Sequence, residues 1–181
     1  MNKDIFPIQI FQTFYVSKEM SNCPLLANVF RFIKKNKDIP ISSISMRYGK
    51  RVLINAEGVN FGEPGKESFI EIVDYDPFKK LLLIMGPGEP VAETPVHWFI
   101  HHARKDINAV LIINKETKGK NIDNKIPISN KEQPLGSIEK IKEIMGLLRE
   151  NKIIDIKNNS LLLVGKNLDE IEENYYNYLR F

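Results

Sequence analysis

Apolar residues in the first part of the chain recur with two different periods, which predict one strand and one helix. Residues 5–16 (IFPIQIFQTFYV) are mostly β-branched and aromatic, and the early Pro7 restricts such a strand to the edge of a sheet. Residues 25–37 instead carry apolar side chains at helical spacing, and lysines close the last turn. The apolar positions of this predicted helix are Leu26, Val29, Phe30 and Ile33.

The middle of the chain predicts strands interrupted by one helix. ISSISMRY (41–48) and RVLIN (51–55) flank Gly49-Lys50, a turn typical of a hairpin, and further strands are predicted at 68–75 and 80–86. Residues 90–105 predict a helix, because Pro95 is tolerated in a first turn, where its missing N–H would be unpaired anyway. NAVLII (108–113) is a continuous apolar run, typical of a strand buried on both faces.

The last part of the chain predicts two capped helices and two strands. Ser137 is placed to cap a helix through residue 150, and Asn167 with Glu170 resembles a capping box for a helix over 168–180. Strands are predicted at 152–156 and 160–165. We expect residues 1–181 to form a single mixed α/β domain, with 1–24 as an N-terminal strand and extension. The apolar stripe predicted for the 137–150 helix is Ile138, Ile141, Ile144, Met145 and Leu148.

Composition and charge exclude several classes of protein. The 181 residues are 43% hydrophobic and 27% charged, as in a globular chain long enough to bury a core. The net charge is only +3 and the charges are scattered, so we expect no nucleic-acid partner. We also expect no membrane association and a cytoplasmic location, because no apolar run is of membrane-spanning length and no secretory signal is recognisable. The single cysteine, Cys23, excludes an internal disulfide and a cysteine-based zinc site.

Three segments resemble motifs of the class II aldolase/adducin family, in that family's order. ISSISMRYGKRVLINAEGVNF is similar to its Gly-Asn-Ile-Ser-x-Arg strand and Leu-Ile-x-Pro-Thr-Gly loop. ETPVHWFIHHARKDINAVLIIN is similar to its Ser-Ser-Glu-x-x-x-His helix and the strand that ends in His-x-His. NNSLLLVGKNLDEIEENYYNYL is similar to its Asn-His-Gly strand and the helix that follows. The resemblance runs from about Asn28 to the C-terminus and depends on all three matches together.

The resemblance implies a fold and an assembly. The expected fold is a class II aldolase-like three-layer α/β/α arrangement with a largely antiparallel central sheet. Family members are commonly homo-oligomers, often tetramers with active sites at subunit interfaces, so a homo-oligomer is expected here. The stretch between Lys115 and Gly136 is shorter than in the family, so the correspondence is least defined there.

The zinc ligands of the catalytic members have no equivalent in this chain. Those members hold zinc with two histidines from His-x-His and one from Asn-His-Gly, and the matching positions here are Ile112, Asn114 and Asn159. An isoleucine cannot bind a metal, and neutral amides are poor zinc ligands beside imidazole. Without the ion, the enediolate formed in aldol cleavage would lose several kcal/mol of charge stabilisation. We therefore expect no cofactor.

The substrate-phosphate loops of the family are altered as well. The family's Gly-Asn falls on Ser42-Ser43, its Thr-Gly on Glu57-Gly58 and its Ser-Ser on Val91-Ala92. Backbone N–H groups and neutral or cationic donors bind phosphate, so a carboxylate at Glu57 would repel it. Glu93 matches the family's catalytic carboxylate and is the candidate catalytic residue. The candidate substrate-binding residues are Ser42, Ser43 and Gly58.

All three histidines of the chain lie in the predicted helix that follows Glu93. Glu93, His97 and His101 are four residues apart and lie on one helical face, so an alternative zinc site would use His97, His101 and the neighbouring His102. However, positions i, i+4 and i+8 of one helix extend over about 12 Å of rise. Three such residues cannot all bind one ion without ligands from elsewhere in the fold. The favoured interpretation makes His97 a packed helix histidine and the other two surface or interface residues.

Three functional hypotheses follow from these residues. The first is a member of the family that has lost metal-dependent aldol cleavage and acts in binding or assembly. The second is a lyase or isomerase that acts on a small sugar phosphate or hydroxy-carbonyl compound, with Glu93 as general acid/base. The third is metal-free binding of a small molecule at the former active site. The sequence favours the first hypothesis and leaves the ligand open.

Overall fold

The computed structural model describes residues 11–115, 126–129, 133–156 and 160–180. In these ranges the chain forms four α-helices and one nine-stranded sheet, with the strands in the order β1-β5-β4-β3-β2-β6-β9-β8-β7. The helices are α1 (Leu26–Lys35), α2 (Thr94–Ala103), α3 (Ile138–Leu147) and α4 (Leu168–Leu179). The strands are β1 (Gln12–Ser17), β2 (Ile41–Tyr48), β3 (Arg51–Asn55), β4 (Phe69–Asp76), β5 (Leu81–Met85), β6 (Ala109–Asn114), β7 (Ile128–Ser129), β8 (Ile153–Ile156) and β9 (Ser160–Gly165).

The expectation of a largely antiparallel sheet was wrong, because the sheet is mixed. Its interior pairs are antiparallel, but both edge pairs, β1 with β5 and β7 with β8, are parallel. Hairpin signals in a sequence report only strands that are joined by short turns, which are antiparallel neighbours. The edge strands reach their partners through long connections, so no local turn signal could indicate their direction.

The helices and strands expected from periodicity are present with small shifts at their ends. β2 and β3 coincide with the expected 41–48 and 51–55, and Gly49 in the turn between them has a φ of +59°, which favours glycine. β1 lies at the edge of the sheet as expected, while residues 5–10 of that predicted strand are outside the described residues. Local periodicity was sufficient here because each element has a clear apolar pattern.

Two polar side chains begin helices as expected. The Ser137 hydroxyl accepts a hydrogen bond from the N–H of Lys140, and the Asn167 amide oxygen accepts one from Glu170. The apolar stripe expected for α3 is only partly correct, because Ile138 is 40% exposed. A residue in the first turn can point past the sheet that the later turns cover, and sequence spacing does not reveal this.

Alternate side chains of β6 enter two different hydrophobic clusters. Leu111 and Ile113 pack in a cluster with residues of α1 and α4, whereas Val110 and Ile112 pack in one with residues of α2 and α3. The strand is therefore buried on both faces, as its continuous apolar run predicts. A third cluster joins β3, β4 and β5 around Ile54, and the first turns of α2 lie beside it.

Candidate active site

One face of α2 carries the polar residues that the sequence singles out. Glu93 is the residue that precedes the first turn, and Pro95 lies within that turn, where it needs no hydrogen-bond acceptor. His97 and His101 follow at intervals of four residues, so their side chains lie one turn apart on the same face of the helix, the face that contacts β2. The spacing predicted this shared face, and the structure confirms it.

The strand that faces this helix presents three serines. Ser43 and Ser45 are two residues apart, so both point to the same face of the sheet, while Ile44 between them enters the cluster of α1 and α4. The pairing of β2 with β6 shifts register between Ile41 and Ser43. A β-bulge of this kind re-aims a side chain, and Ser42 also reaches α2 although it neighbours Ser43.

A chain of hydrogen bonds links the serines to the histidines. The Ser43 hydroxyl lies 2.8 Å from Nε2 of His97, and the Ser45 hydroxyl lies 2.7 Å from Nδ1 of the same ring. The Ser45 hydroxyl also lies 2.8 Å from Nε2 of His101, so it bridges the two rings. All four residues are buried. Both nitrogens of His97 are therefore engaged within the fold.

Burial keeps the two histidines neutral. Loss of solvation, and to a smaller extent the neighbouring His101, lowers the pKa of His97 to about 3. The pKa of His101 is also lowered to about 3, first by burial and then by the positive charge of Arg47, whereas the Ile107 carbonyl acts in the opposite direction. No acceptor or donor lies in good hydrogen-bond geometry to Nδ1 of His101 among the described residues. The chain of hydrogen bonds thus carries no net charge near neutral pH.

The Glu93 carboxyl group lies at the other end of this helical face. Its Oε1 accepts a hydrogen bond of 3.2 Å from the Ser42 hydroxyl, and both residues are half-buried. Burial raises the pKa of Glu93, and the negative charge of Glu57 adds to this effect, while the Ser42 hydrogen bond opposes it. A raised pKa brings the carboxyl group closer to the pKa that a general acid/base requires.

The former phosphate loop approaches the start of α2. Ala56 pairs with Pro90 in an isolated bridge, and the Glu57 N–H donates a hydrogen bond of 2.8 Å to the Glu89 carbonyl. Gly58 follows with a φ of +69° in an exposed turn. The structure thus brings Ser42, Glu57 and Glu93 to one region, as the family resemblance implied. Ser43, by contrast, is buried, and its hydroxyl group is hydrogen-bonded to His97.

The alternative zinc site does not fit the positions of the histidines. Both nitrogens of His97 are hydrogen-bonded to serines. His101 is buried within the fold, so the expectation that it is a surface or interface residue was wrong. His102 is exposed and stacks on Trp98 with ring centres 4.5 Å apart. Among the described residues, no group of three potential ligands could hold an ion.

The resemblance assigns the family's zinc ligands to Ile112, Asn114 and Asn159. Ile112 is 1% exposed and packs in the apolar cluster that contains Val96 and Ile100 of α2. Asn114 is exposed at the end of β6, and Asn159 lies outside the described residues. A histidine at position 112 would have to replace an apolar contact between the sheet and α2. Ile112 is therefore part of the hydrophobic core between the sheet and α2.

Sequence analysis missed the contributions of Ser45 and Arg47. Both occur in the stretch that resembles Gly-Asn-Ile-Ser-x-Arg, which was the available signal. The Arg47 guanidinium donates hydrogen bonds of 2.5 Å to the carbonyls of Arg104 and Ile107, just beyond the end of α2. The two motif residues therefore attach β2 to the middle and the end of the helix.

Comparisons with known proteins agree with this arrangement. The family model described as the class II aldolase and adducin N-terminal domain matches residues 40–116, which include β2, α2 and β6. Over this segment the chain is class II aldolase-like. It diverges from the family's pattern, because Ile112 and Asn114, two of the positions that the resemblance assigns to the zinc triad, hold no histidine. No curated protein is significantly similar to it in sequence.

Solved structures of class II aldolases share the fold. An L-fuculose 1-phosphate aldolase has a TM-score of 0.64 at 14% identity, covering 88% of this chain and 85% of that one. A sugar-phosphate aldolase from Thermotoga maritima has a TM-score of 0.60 at 13% identity, covering 84% and 92%. The N-terminal class II aldolase domain of a conserved protein from Thermoplasma acidophilum has a TM-score of 0.61 at 14% identity, covering 91% and 93%. In the described part of this class II aldolase-like chain, no helix is long and apolar enough to cross a bilayer.

Proposed function

We propose that this class II aldolase-like chain has lost metal-dependent aldol cleavage and acts by binding a small ligand at the Ser42–Glu93 pair. The observation that carries the proposal is the burial of Ile112 against α2, where the catalytic relatives would place a zinc ligand. An apolar side chain cannot hold the ion. Ile112 packs with Val96 and Ile100, so moving α2 away from the sheet at this point would break apolar contacts. Assembly with further copies, commonly tetrameric in the family, is compatible with this role.

The charges around the pair favour a ligand without phosphate. Glu57 lies near enough to Glu93 to raise its pKa, so a phosphate placed at this end of α2 would meet negative charge. The Ser42 hydroxyl and the Glu93 carboxyl can both donate and accept hydrogen bonds to neutral groups. We infer that the ligand is a small hydroxylated or carbonyl compound, bound in the family's three-layer fold.

The test combines metal content with ligand binding. Elemental mass spectrometry of the purified, untagged protein after incubation with zinc should find less than stoichiometric metal. A thermal-shift screen of paired sugars and sugar phosphates should then yield a non-phosphorylated ligand that stabilises the wild type but not Glu93→Gln. Glu89→Gln is the matched control, because Glu89 is an exposed carboxylate on the adjacent segment and should leave binding unchanged. Tight stoichiometric zinc, or a ligand that needs its phosphate, would contradict the proposal.

The raised pKa of Glu93 favours a second candidate, a metal-free lyase or isomerase with Glu93 as general acid/base. Proton exchange next to a carbonyl requires a base that contacts the substrate and has a pKa near the working pH. Within the Ser42–Glu93 pair, only the Glu93 carboxylate can act as that base. NMR would follow loss of the α-proton of hydroxy-carbonyl compounds in heavy water. Exchange catalysed by the wild type and abolished in Glu93→Gln would establish this activity. Equal exchange by both proteins would eliminate it.

A further inference from the structure

We propose that Ser43, His97, Ser45 and His101 are positioning residues for Glu93. Their chain of hydrogen bonds sets the rotation and translation of α2 on β2, and so places the Glu93 carboxyl group against the Ser42 hydroxyl. This inference rests on the proposed function only in taking Glu93 as the centre of the site. Its evidence is the geometry of the contact between strand and helix.

The chain of hydrogen bonds fits only one placement of the helix. Ser45 contacts two rings that are one helical turn apart, and His97 uses both of its nitrogens. A rotation of α2 by one residue would turn its histidines by about 100° away from the serines. Buried hydroxyl and imidazole groups would then lose their partners, which folded proteins rarely tolerate. The four residues thus select one register.

Glu93 depends on this register because its side chain does not cap its own helix. Its described side-chain partner is Ser42, which belongs to the strand and not to the helix. The distance between the two groups is therefore set by the position of the helix on the sheet. The first anchoring contact along α2 is the hydrogen bond between His97 and Ser43. The position of the Ser42 hydroxyl depends on the β-bulge, which turns Ser42 towards the helix beside Ser43.

The anchoring residues can act on Glu93 only through position. Both histidines are neutral near neutral pH, and serines carry no charge. The charged groups that face this helical face are Glu57 near Glu93 and Arg47 near His101, and neither belongs to the chain of hydrogen bonds. A change at Ser45 therefore leaves the charges around Glu93 intact, and any effect on the carboxyl group reports a displacement.

The experiment is an NMR titration of the Glu93 carboxyl carbon, without ligand, in the wild type and in serine variants. Ser42→Ala removes a direct hydrogen bond that lowers the pKa of Glu93, so that pKa should rise. Ser45→Ala leaves Ser42 in place but lets α2 shift on β2, so the hydrogen bond from Ser42 to Glu93 weakens and the pKa of Glu93 should rise towards its value in Ser42→Ala. Ser45→Thr retains the hydroxyl and should restore the wild-type value. Backbone NMR spectra establish that each variant is folded.

Two results would overturn the inference. One is an unchanged Glu93 pKa in a folded Ser45→Ala protein, which would make the chain of hydrogen bonds a purely structural feature. If Ser45→Ala does not fold, Ser43→Ala removes the contact nearest to Glu93 and must raise the same pKa. Its failure to do so is the other result. Because no ligand is present, a protein that fails the binding screen can still show these shifts. The titration and the screen therefore test separate claims.

Discussion

Mild acid should destabilise this protein, because the folded protein buries two neutral histidines. The pKa of His97 and of His101 falls to about 3 in the folded state, against an ordinary value of 6.5. The unfolded chain therefore binds more protons than the folded one between these values, and stability falls as the pH drops below about 6.5. Above that pH the contribution is fully present. The perturbation is a change from about pH 7.5 to about pH 5.5.

The magnitude follows from the two pKa values. At about pH 5.5, each unfolded histidine is roughly nine-tenths protonated while the buried ring stays neutral, which costs between about 1 and 2 kcal/mol per histidine relative to pH 7.5. The pair should lower the free energy of unfolding by about 3 kcal/mol, with a slope of about 2 kcal/mol per pH unit. Glu93 acts in the opposite direction, because its raised pKa contributes stability that is lost as the pH rises.

The assay is urea unfolding at closely spaced pH values, with Glu93→Gln as the background that removes the opposing carboxyl group. His101→Asn in that background should reduce the slope by about half, since one buried histidine remains. Asp106 does not interfere, because its pKa is lowered to about 2 and it titrates well below this range. A slope in Glu93→Gln of about 1 kcal/mol per pH unit or less, which one buried histidine alone would give, would refute the claim that both rings are buried and neutral.

Three further predictions concern the stability of elements that frame the site, each measured as the change in the free energy of unfolding. Ile112→Ala should cost about 2–5 kcal/mol by leaving a cavity against α2. The exposed Ile138 is the matched control, and its change to Ala should cost less than about 1 kcal/mol. Asn55→Ala should cost about 1–3 kcal/mol, because the buried side chain of Asn55 accepts a hydrogen bond of 2.8 Å from the Ile44 N–H and would leave it unpaired. Ser137→Ala should cost about 1 kcal/mol by removing the cap of α3, whereas Ser137→Asp should restore most of it; equal stability of all three proteins would show that the cap contributes nothing.

The location of the elements could be predicted because it depends on neighbours in sequence. The run 41–55 yields two strands and a turn through alternation and Gly49, and Ser137 and Asn167 begin helices through their own side chains. The loss of zinc ligands at Ile112 and Asn114 could likewise be read from residue identity alone, given the family motifs. The candidate role of Glu93 came from the same motifs, and the structure adds its hydrogen bond to Ser42.

The periodic elements, the caps, the family motifs and the shared helical face of Glu93, His97 and His101 all follow from residues that are close together in the chain. What that face contacts depends on how distant segments fold against each other. The same spacing would suit a solvent-exposed stripe, but β2 brings Ser43 to His97 and Ser45 to both His97 and His101 from more than fifty residues away. The parallel edges of the sheet are also non-local, since strand direction depends on the path of long connections. Such hydrogen bonds join segments that are far apart in the sequence, so no short stretch of sequence contains both partners.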